Sequence, residues 1–289
     1  MFDRILFPTD GGDGASAALD HVLDLAADHA ATVHVLNVAD TTHDSVTRIG
    51  GEVVDVLERD GEEIVEAAAD RAAERGVETV TEVLQGGVAE TVSGYAEEYG
   101  MDLVALPTRG RTGLDRLLLG STTERVVRES TVPVLSIRPD DGPVRYPYRN
   151  VLVPTDGSER AGGALDRAVS LAIDAGARVH VLSVVDVGGV GGEAYSGVDA
   201  LVEGAEETVA EAAAVAEEAG VEAVEAVEVG SSVSRAIRAY VEENGIDLVA
   251  MGTQGRTGVE RYLLGSVAER TVRTSPVPVL TVPDSDGED

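Results

Sequence analysis

Apolar residues run together from Val151 to Pro154, and four further runs follow at Val179 to Val185, Glu222 to Val229, Asp247 to Met251 and Val277 to Val282. These runs are β-branched and read as continuous rather than alternating, the pattern of strands covered on both faces. Between them stand stretches with apolar residues at helical spacing, among them Ala161 to Ala175 and Val198 to Ala219, with Gly176 and Gly220 placed where helices end. The order is strand, helix, strand, long helix, strand, helix, strand, helix, strand. Such alternation implies right-handed crossovers and an α/β fold: a doubly wound, five-stranded parallel sheet flanked by helices. Ligands of such sheets collect beyond the carboxyl ends of the strands.

The same pattern occurs twice. Arg4 to Asp10 aligns with Asn150 to Asp156, and Met101 to Ile137 aligns with Ile246 to Val282, with roughly 23 of 37 positions identical in the second pairing. The period is too long for a solenoid repeat, so each copy is expected to be a whole domain. The expected domains are 1–141 and 148–283, two tandem copies joined across the proline-rich, turn-prone stretch from Pro139 to Tyr148.

Composition narrows the chemistry. The 289 residues carry 53 acidic side chains against 22 basic ones, a formal charge of −31, and every basic residue counted there is arginine because the chain contains no lysine. Self-repulsion on that scale weakens a compact fold in dilute buffer, but at molar salt the Debye length is roughly 3 Å and the penalty fades. A halophilic, cytoplasmic setting is the expectation. No basic stripe exists to neutralise phosphates along a duplex, so nucleic acid is not an expected partner. The absence of cysteine removes disulfides, thiolate catalysis and sulfur metal sites, and the five histidines (His21, His29, His34, His43, His180) lack ligand-type spacing. No apolar stretch approaches the ~18 residues of a membrane span, and no leader-like segment precedes the strand that opens at Phe2, so neither a membrane nor export is expected.

In the second copy the strand ending at Met251 leads into Gly252-Thr253-Gln254-Gly255, nine further residues, then Gly265-Ser266. Glycines after a parallel strand let the main chain approach a ligand closely, and a Gly-Ser pair opening a helix offers free N–H groups to an anion. Pro154-Thr155-Asp156 and Val184 should meet this loop at the same sheet edge. Asp156 can accept from a ribose hydroxyl or an adenine amine, Val184 can offer main-chain groups and an apolar face to a base, Val267 extends the helix start, and Arg256 is the nearest mobile cation. Each residue also has a plainer role: Asp156 as a cap or turn residue, Gly252 and Gly255 as a tight turn, Arg256 as a solvated surface charge, and Pro154 and Thr155 as strand-end packing.

Other phosphate motifs fit less well. A Walker loop requires the lysine this chain lacks, and Gly189-Val190-Gly191-Gly192-Glu193-Ala194 resembles a dinucleotide fingerprint but the helix after it is expected to start later, near Val198. No catalytic base or protein-held metal site stands out. The first copy keeps Asp10, Val38, Gly110, Arg111, Gly120 and Ser121, but Pro107 replaces Gly252. Proline removes an N–H and fixes φ, so the first site is expected to have an altered loop and to bind nucleotide more weakly, or not at all.

These motifs resemble the universal stress protein family, whose ATP-binding members carry G-x-x-G, nine residues, then G-[ST] after the fourth strand of a five-stranded parallel sheet. The resemblance extends over nearly the whole chain, to the opening strand ending in Pro-Thr-Asp, the Leu-Leu-Gly-Ser junction and the closing Val-Pro-Val-Leu. It implies adenine and ribose contacts from Asp156 and the main chain of Val184, and ribose and phosphate contacts from Gly252, Gly255, Gly265, Ser266 and Val267. It implies ATP, AMP or ADP as ligand, with magnesium or manganese as companions of ATP. It also implies edge-to-edge association of Val132 to Ile137 with Val277 to Val282, a pseudo-dimer within one chain that could associate further. The expected function is a nucleotide-binding, regulatory stress-response protein. A slow ATPase and a nucleotide-free interaction scaffold stay open as alternatives.

Overall fold

A computed structural model describes residues 2–40, 52–108, 119–138, 144–188, 197–253 and 264–283. Its contacts divide the chain into two units that part between Tyr146 and Pro147. The first unit runs β1 (Arg4–Pro8), α1 (Asp13–His29), β2 (Thr32–Asp40), α2 (Glu52–Glu74), β3 (Thr79–Gly86), α3 (Val88–Glu98), β4 (Leu103–Pro107), α4 (Ser121–Glu129) and β5 (Val134–Ile137). The second repeats it as β6 (Asn150–Pro154), α5 (Glu159–Ala175), β7 (Arg178–Asp186), α6 (Val198–Glu218), β8 (Ala223–Gly230), α7 (Val233–Asn244), β9 (Leu248–Gly252), α8 (Ser266–Thr274) and β10 (Val279–Val282). Within each unit all strand pairings are parallel, in the order β3-β2-β1-β4-β5 and β8-β7-β6-β9-β10. Each unit is thus a doubly wound α/β domain.

The three middle strands of the second unit bury nearly every side chain, since α5 and α6 pack on one face and α7 and α8 on the other. The outer strand β8 departs from the expected continuous apolar run: Glu225, Glu228 and Val229 are exposed. A strand at the end of a sheet has only one neighbour and less helix cover, and charge there discourages pairing with other chains. Helix ends fall where the glycines indicated. Gly176 takes the left-handed conformation at φ 62° and caps α5 by donating its N–H to the Ala172 carbonyl. Its counterpart in the first unit is Ala30, which holds φ 51° despite its side chain.

The junction between the first and fourth strand of each unit has two unlike ends. At the amino end, a buried carboxylate binds the strands together: Asp247 Oδ2 accepts from the N–H groups of Arg149 and Asn150 at 2.9 and 3.1 Å. Asp102 repeats this with Asp3 and Arg4 at 2.8 and 2.9 Å. Beyond the clamp, β6 and β9 pair only at Val151 with Leu248 and Leu152 with Val249, and then run on unpaired with each other toward their carboxyl ends. A charge-assisted acceptor shared by two N–H groups is strong, and removing it leaves both donors without their partner. Asp247→Ala should therefore lose about 2–4 kcal/mol of unfolding free energy, read from the denaturant midpoint at constant slope; an unchanged midpoint would show that the clamp contributes nothing.

Buried histidines are also duplicated. His34 Nδ1 lies 2.9 Å from the Tyr95 hydroxyl and His180 Nδ1 lies 3.0 Å from that of Tyr240, each pair joining the second strand to the third helix. Burial lowers both imidazole pKa values, with the adjacent Arg4 and Arg178 adding to the shift and Glu82 and Glu222 opposing it. His21 on α1 is 3% exposed, its ring edge-on to Tyr146, and burial pulls its pKa down to about 4. Above the ordinary value of 6.5 both folded and unfolded states hold neutral rings. As pH falls below it, the unfolded chain takes up a proton that the folded state refuses until about pH 4, so stability is lost across that window and levels off below it. His21 alone should account for roughly 3 kcal/mol of that loss. Denaturation series in molar salt should give His21→Leu a shallower stability slope between those limits than the wild type; parallel slopes would contradict the assignment.

Candidate functional site

Where β6 and β9 part, a cleft of about 300 Å³ opens. This is the topological switch point of the sheet, where neighbouring connections leave in opposite directions. Nine sequence-picked residues line it: Pro154, Thr155 and Asp156 after β6, Val184 on β7, Met251 and Gly252 at the end of β9, and Gly265, Ser266 and Val267 at the start of α8. Gly255 and Arg256 lie outside the described residues, as do Gly189 to Ala194. Sequence reasoning missed Ala161, Leu182, Ser183, Thr253, Ala268 and above all Val233, which brings the α7 start to the cleft. The signal for Val233 was its position after the third strand, where Val88 stands in the first copy.

Local hydrogen bonds fix the cleft walls. Thr155 N–H donates to Leu182 O at 2.8 Å, Thr155 Oγ1 accepts from Gly157 N–H at 3.1 Å, and Asp156 Oδ1 accepts from Ser158 N–H at 3.1 Å. Asp156 therefore serves as a turn residue while lining the cleft. The cap of α5 is Ser158, whose hydroxyl accepts from Ala161 N–H. On the opposite wall, Thr253 N–H donates to Val282 O at 3.2 Å and Gly265 N–H to Thr253 O at 2.7 Å, which anchors both ends of the glycine loop. Gly265 has φ −61° and ψ 142° and no side chain to cap α8. The first N–H groups of that helix therefore have no side-chain acceptor from the cap residue, and the helix dipole makes this end attractive to an anion. The walls are otherwise mainly apolar or hydroxylic, with Asp156 the single carboxylate among the lining residues.

Gly252 has a reason beyond ligand approach. A Cβ built there would stand 2.9 Å from the Arg160 carbonyl oxygen and 3.1 Å from its carbon. The first turn of α5 thus seats directly on Gly252, and the glycine is a packing requirement of the second unit.

The first unit keeps the frame. Thr9, Gly11 and Asp10 repeat the turn bonds, Thr108 N–H donates to Ile137 O at 2.8 Å, and Gly120 N–H to Thr108 O at 2.9 Å. Gly120 opens α4 at φ −61° and ψ 138°, with Ser121 next, and Val38 lies on β2 as Val184 does on β7. Pro107 ends β4 in register with Ile137, and the bonds flanking the loop match those of the second unit. The altered geometry expected from that proline is thus absent at the loop's anchors; Gly110 and Arg111 lie outside the described residues. A groove of about 330 Å³ opens elsewhere in this unit, between α1 and α2, lined by Thr9, Gly11, Ile64 and Arg71 among others, without Val38, Gly120 or Ser121. Arg71 is tied to Asp20 at its rim by a 2.6 Å ion pair. Among the described residues, no group of three or more His, Asp or Glu stands together as a metal site, and no helix is long and apolar enough to cross a membrane.

Comparison with known proteins identifies the class. The Universal stress protein family profile matches residues 1–138 and again 147–283, so the chain belongs to that family and carries two of its domains. Universal stress protein MJ0531 of Methanocaldococcus jannaschii is 33% identical over 48% of this chain and 83% of its own length. Universal stress protein YxiE of Bacillus subtilis is 34% identical over 48% of this chain and 100% of its own length. Among solved structures, a universal stress protein from Archaeoglobus fulgidus is similar at 25% identity and a TM-score of 0.76, covering 97% of this chain and 98% of that one.

The contact at Gly252 makes a measurable claim. Gly252→Ala should destabilise the second unit by about 1–3 kcal/mol, because the new methyl meets helix backbone that cannot turn aside. Urea titration with probes in each unit checks this, and an alanine variant as stable as the parent would remove α5 as the reason for the glycine.

Proposed function

We propose that the chain is an adenine-nucleotide-binding stress-response protein that works by occupancy rather than fast turnover, with ATP, ADP or AMP in the second unit. The observation that supports this most is the convergence of Asp156, Val184 and the α8 start on one cleft of about 300 Å³ at the sheet switch point. A base would lie against Val184 and Met251, a ribose hydroxyl would donate to Asp156, and phosphates would accept from the main-chain N–H groups of Ser266 and Val267, with Gly265 leaving room for their approach. Gly255 and Arg256 would complete the phosphate surround. Backbone amides suit a lysine-free chain, because their partial charges are fixed and already aimed. Magnesium or manganese, where it accompanies ATP, would be held chiefly by phosphate oxygens and water. The acidic, lysine-free surface supports a setting of molar salt, where repulsion between the protein and a polyanion is screened.

Occupancy would change what the unit presents to partners. The first unit would bind nucleotide weakly or not at all, Pro107 having no N–H to offer.

Ser266→Pro tests the phosphate contact directly. Gly265 already has the extended backbone that a following proline prefers, and proline suits the first position of a helix, so the fold should survive. Calorimetric titration should show ATP affinity falling by roughly tenfold or more while Ser266→Ala falls less, since only the proline removes an N–H. Equal affinity in wild type and Ser266→Pro would refute the site.

A further inference from the structure

The two units differ at one position that bears on access to the site. Strand registers match Pro8 with Leu36 and Pro154 with Leu182, which makes Asn37 of β2 the counterpart of Ser183 of β7. In the second unit, Ser183 and Thr155 both line the cleft. In the first, the matching side chain spans the gap: Asn37 Nδ2 donates to the Thr9 carbonyl at 2.8 Å. The Asn37 amide is also fixed from behind, its Oδ1 so close to α2 that a Cβ added at Gly61 would come within 2.6 Å of it. It is 8% exposed and so has little room to swing aside.

We infer that residue 183 is the selector of nucleotide access: serine leaves the cleft open beside the ends of β6 and β7, and the asparagine at 37 closes its counterpart by bolting the second strand to the end of the first. The assignment rests on the nucleotide reading of the second unit. The barrier is steric and hydrogen-bonded, separate from the main-chain donor that Pro107 lacks. With Ala205, which stands where the first unit has Gly61, reduced to glycine, an amide at 183 would reach the Thr155 carbonyl as Asn37 reaches that of Thr9, and a ligand would have to break that bond to enter. The Ser183 hydroxyl itself is not needed, because a small side chain is all the opening requires.

Equilibrium dialysis of the full chain against ATP in molar salt tests this with three variants. The wild type should bind one equivalent, Ala205→Gly alone should bind like the wild type, and Ser183→Asn combined with Ala205→Gly should bind more weakly by roughly tenfold or more. Asn37→Ser combined with Pro107→Gly should add a second equivalent. Wild-type affinity in the Ser183→Asn, Ala205→Gly variant overturns the inference, as does an equal loss of binding in Ala205→Gly alone, which would trace the effect to the long helix and not to residue 183. Should the variant altered at 37 and 107 fail to fold, the variants of the second unit decide alone. A wild-type chain that binds no ATP overturns the nucleotide reading itself and this assignment with it.

Discussion

One carboxylate per unit determines where these sheets open. Asp247 holds the heads of β6 and β9 together through two main-chain N–H groups, and the ladder beyond it lasts only two residue pairs. Closing one end of the junction and leaving the other unpaired creates a wedge, and the wedge faces the side where α5 and α8 begin. Parallel strands carry their following helices on short connections, so helix amino ends, glycine turns and strand-end side chains all gather at this opening. The candidate site is a consequence of strand order first and of particular residues second.

The duplicate repeats that frame with a different lining. Asp102 makes the same clamp, and the bonds anchoring the loop at Thr108 and Gly120 repeat those at Thr253 and Gly265. The frame is retained while its lining differs: proline for glycine at 107, asparagine for serine at 37. Much of the remaining charge is arranged for the surface. Arg125 with Glu129, Arg238 with Glu242 and Arg273 with Glu269 are pairs one helical turn apart, solvent-screened and weak. Such pairs organise a strongly anionic exterior without neutralising it. An anionic ligand must therefore be held by local, directional donors, since the long-range field opposes it.

Much of this was legible in the chain itself. Strands and helices followed from unbroken apolar runs and helical spacing, and the duplication confirmed where a domain begins again. The edge strand β8 was misjudged because its glutamates sit among valines and alanines; only its place at the end of the sheet explains why they are tolerated. The glycine loop, Asp156 and the Gly265-Ser266 helix start were readable as a group. The clamp was not, because an aspartate before a strand looks like any solvated acid until the neighbouring strand supplies its donors. Gly252 was read as room for a ligand; it lines the cleft, and the structure adds a packing role in the α5 backbone that lies on it. Asn37 and Val233 were invisible for a shared reason: each matters only through a residue distant in sequence, Thr9 for the first and the far wall of a cleft for the second.

The most direct test is a crystal grown with ATP in excess at molar salt. The account predicts a single nucleotide in the second unit, its phosphates within hydrogen-bond distance of the main-chain N–H groups of Ser266 and Val267, and its base beside Val184. A cleft that stays empty under those conditions, or a nucleotide seated only in the first unit, would contradict it.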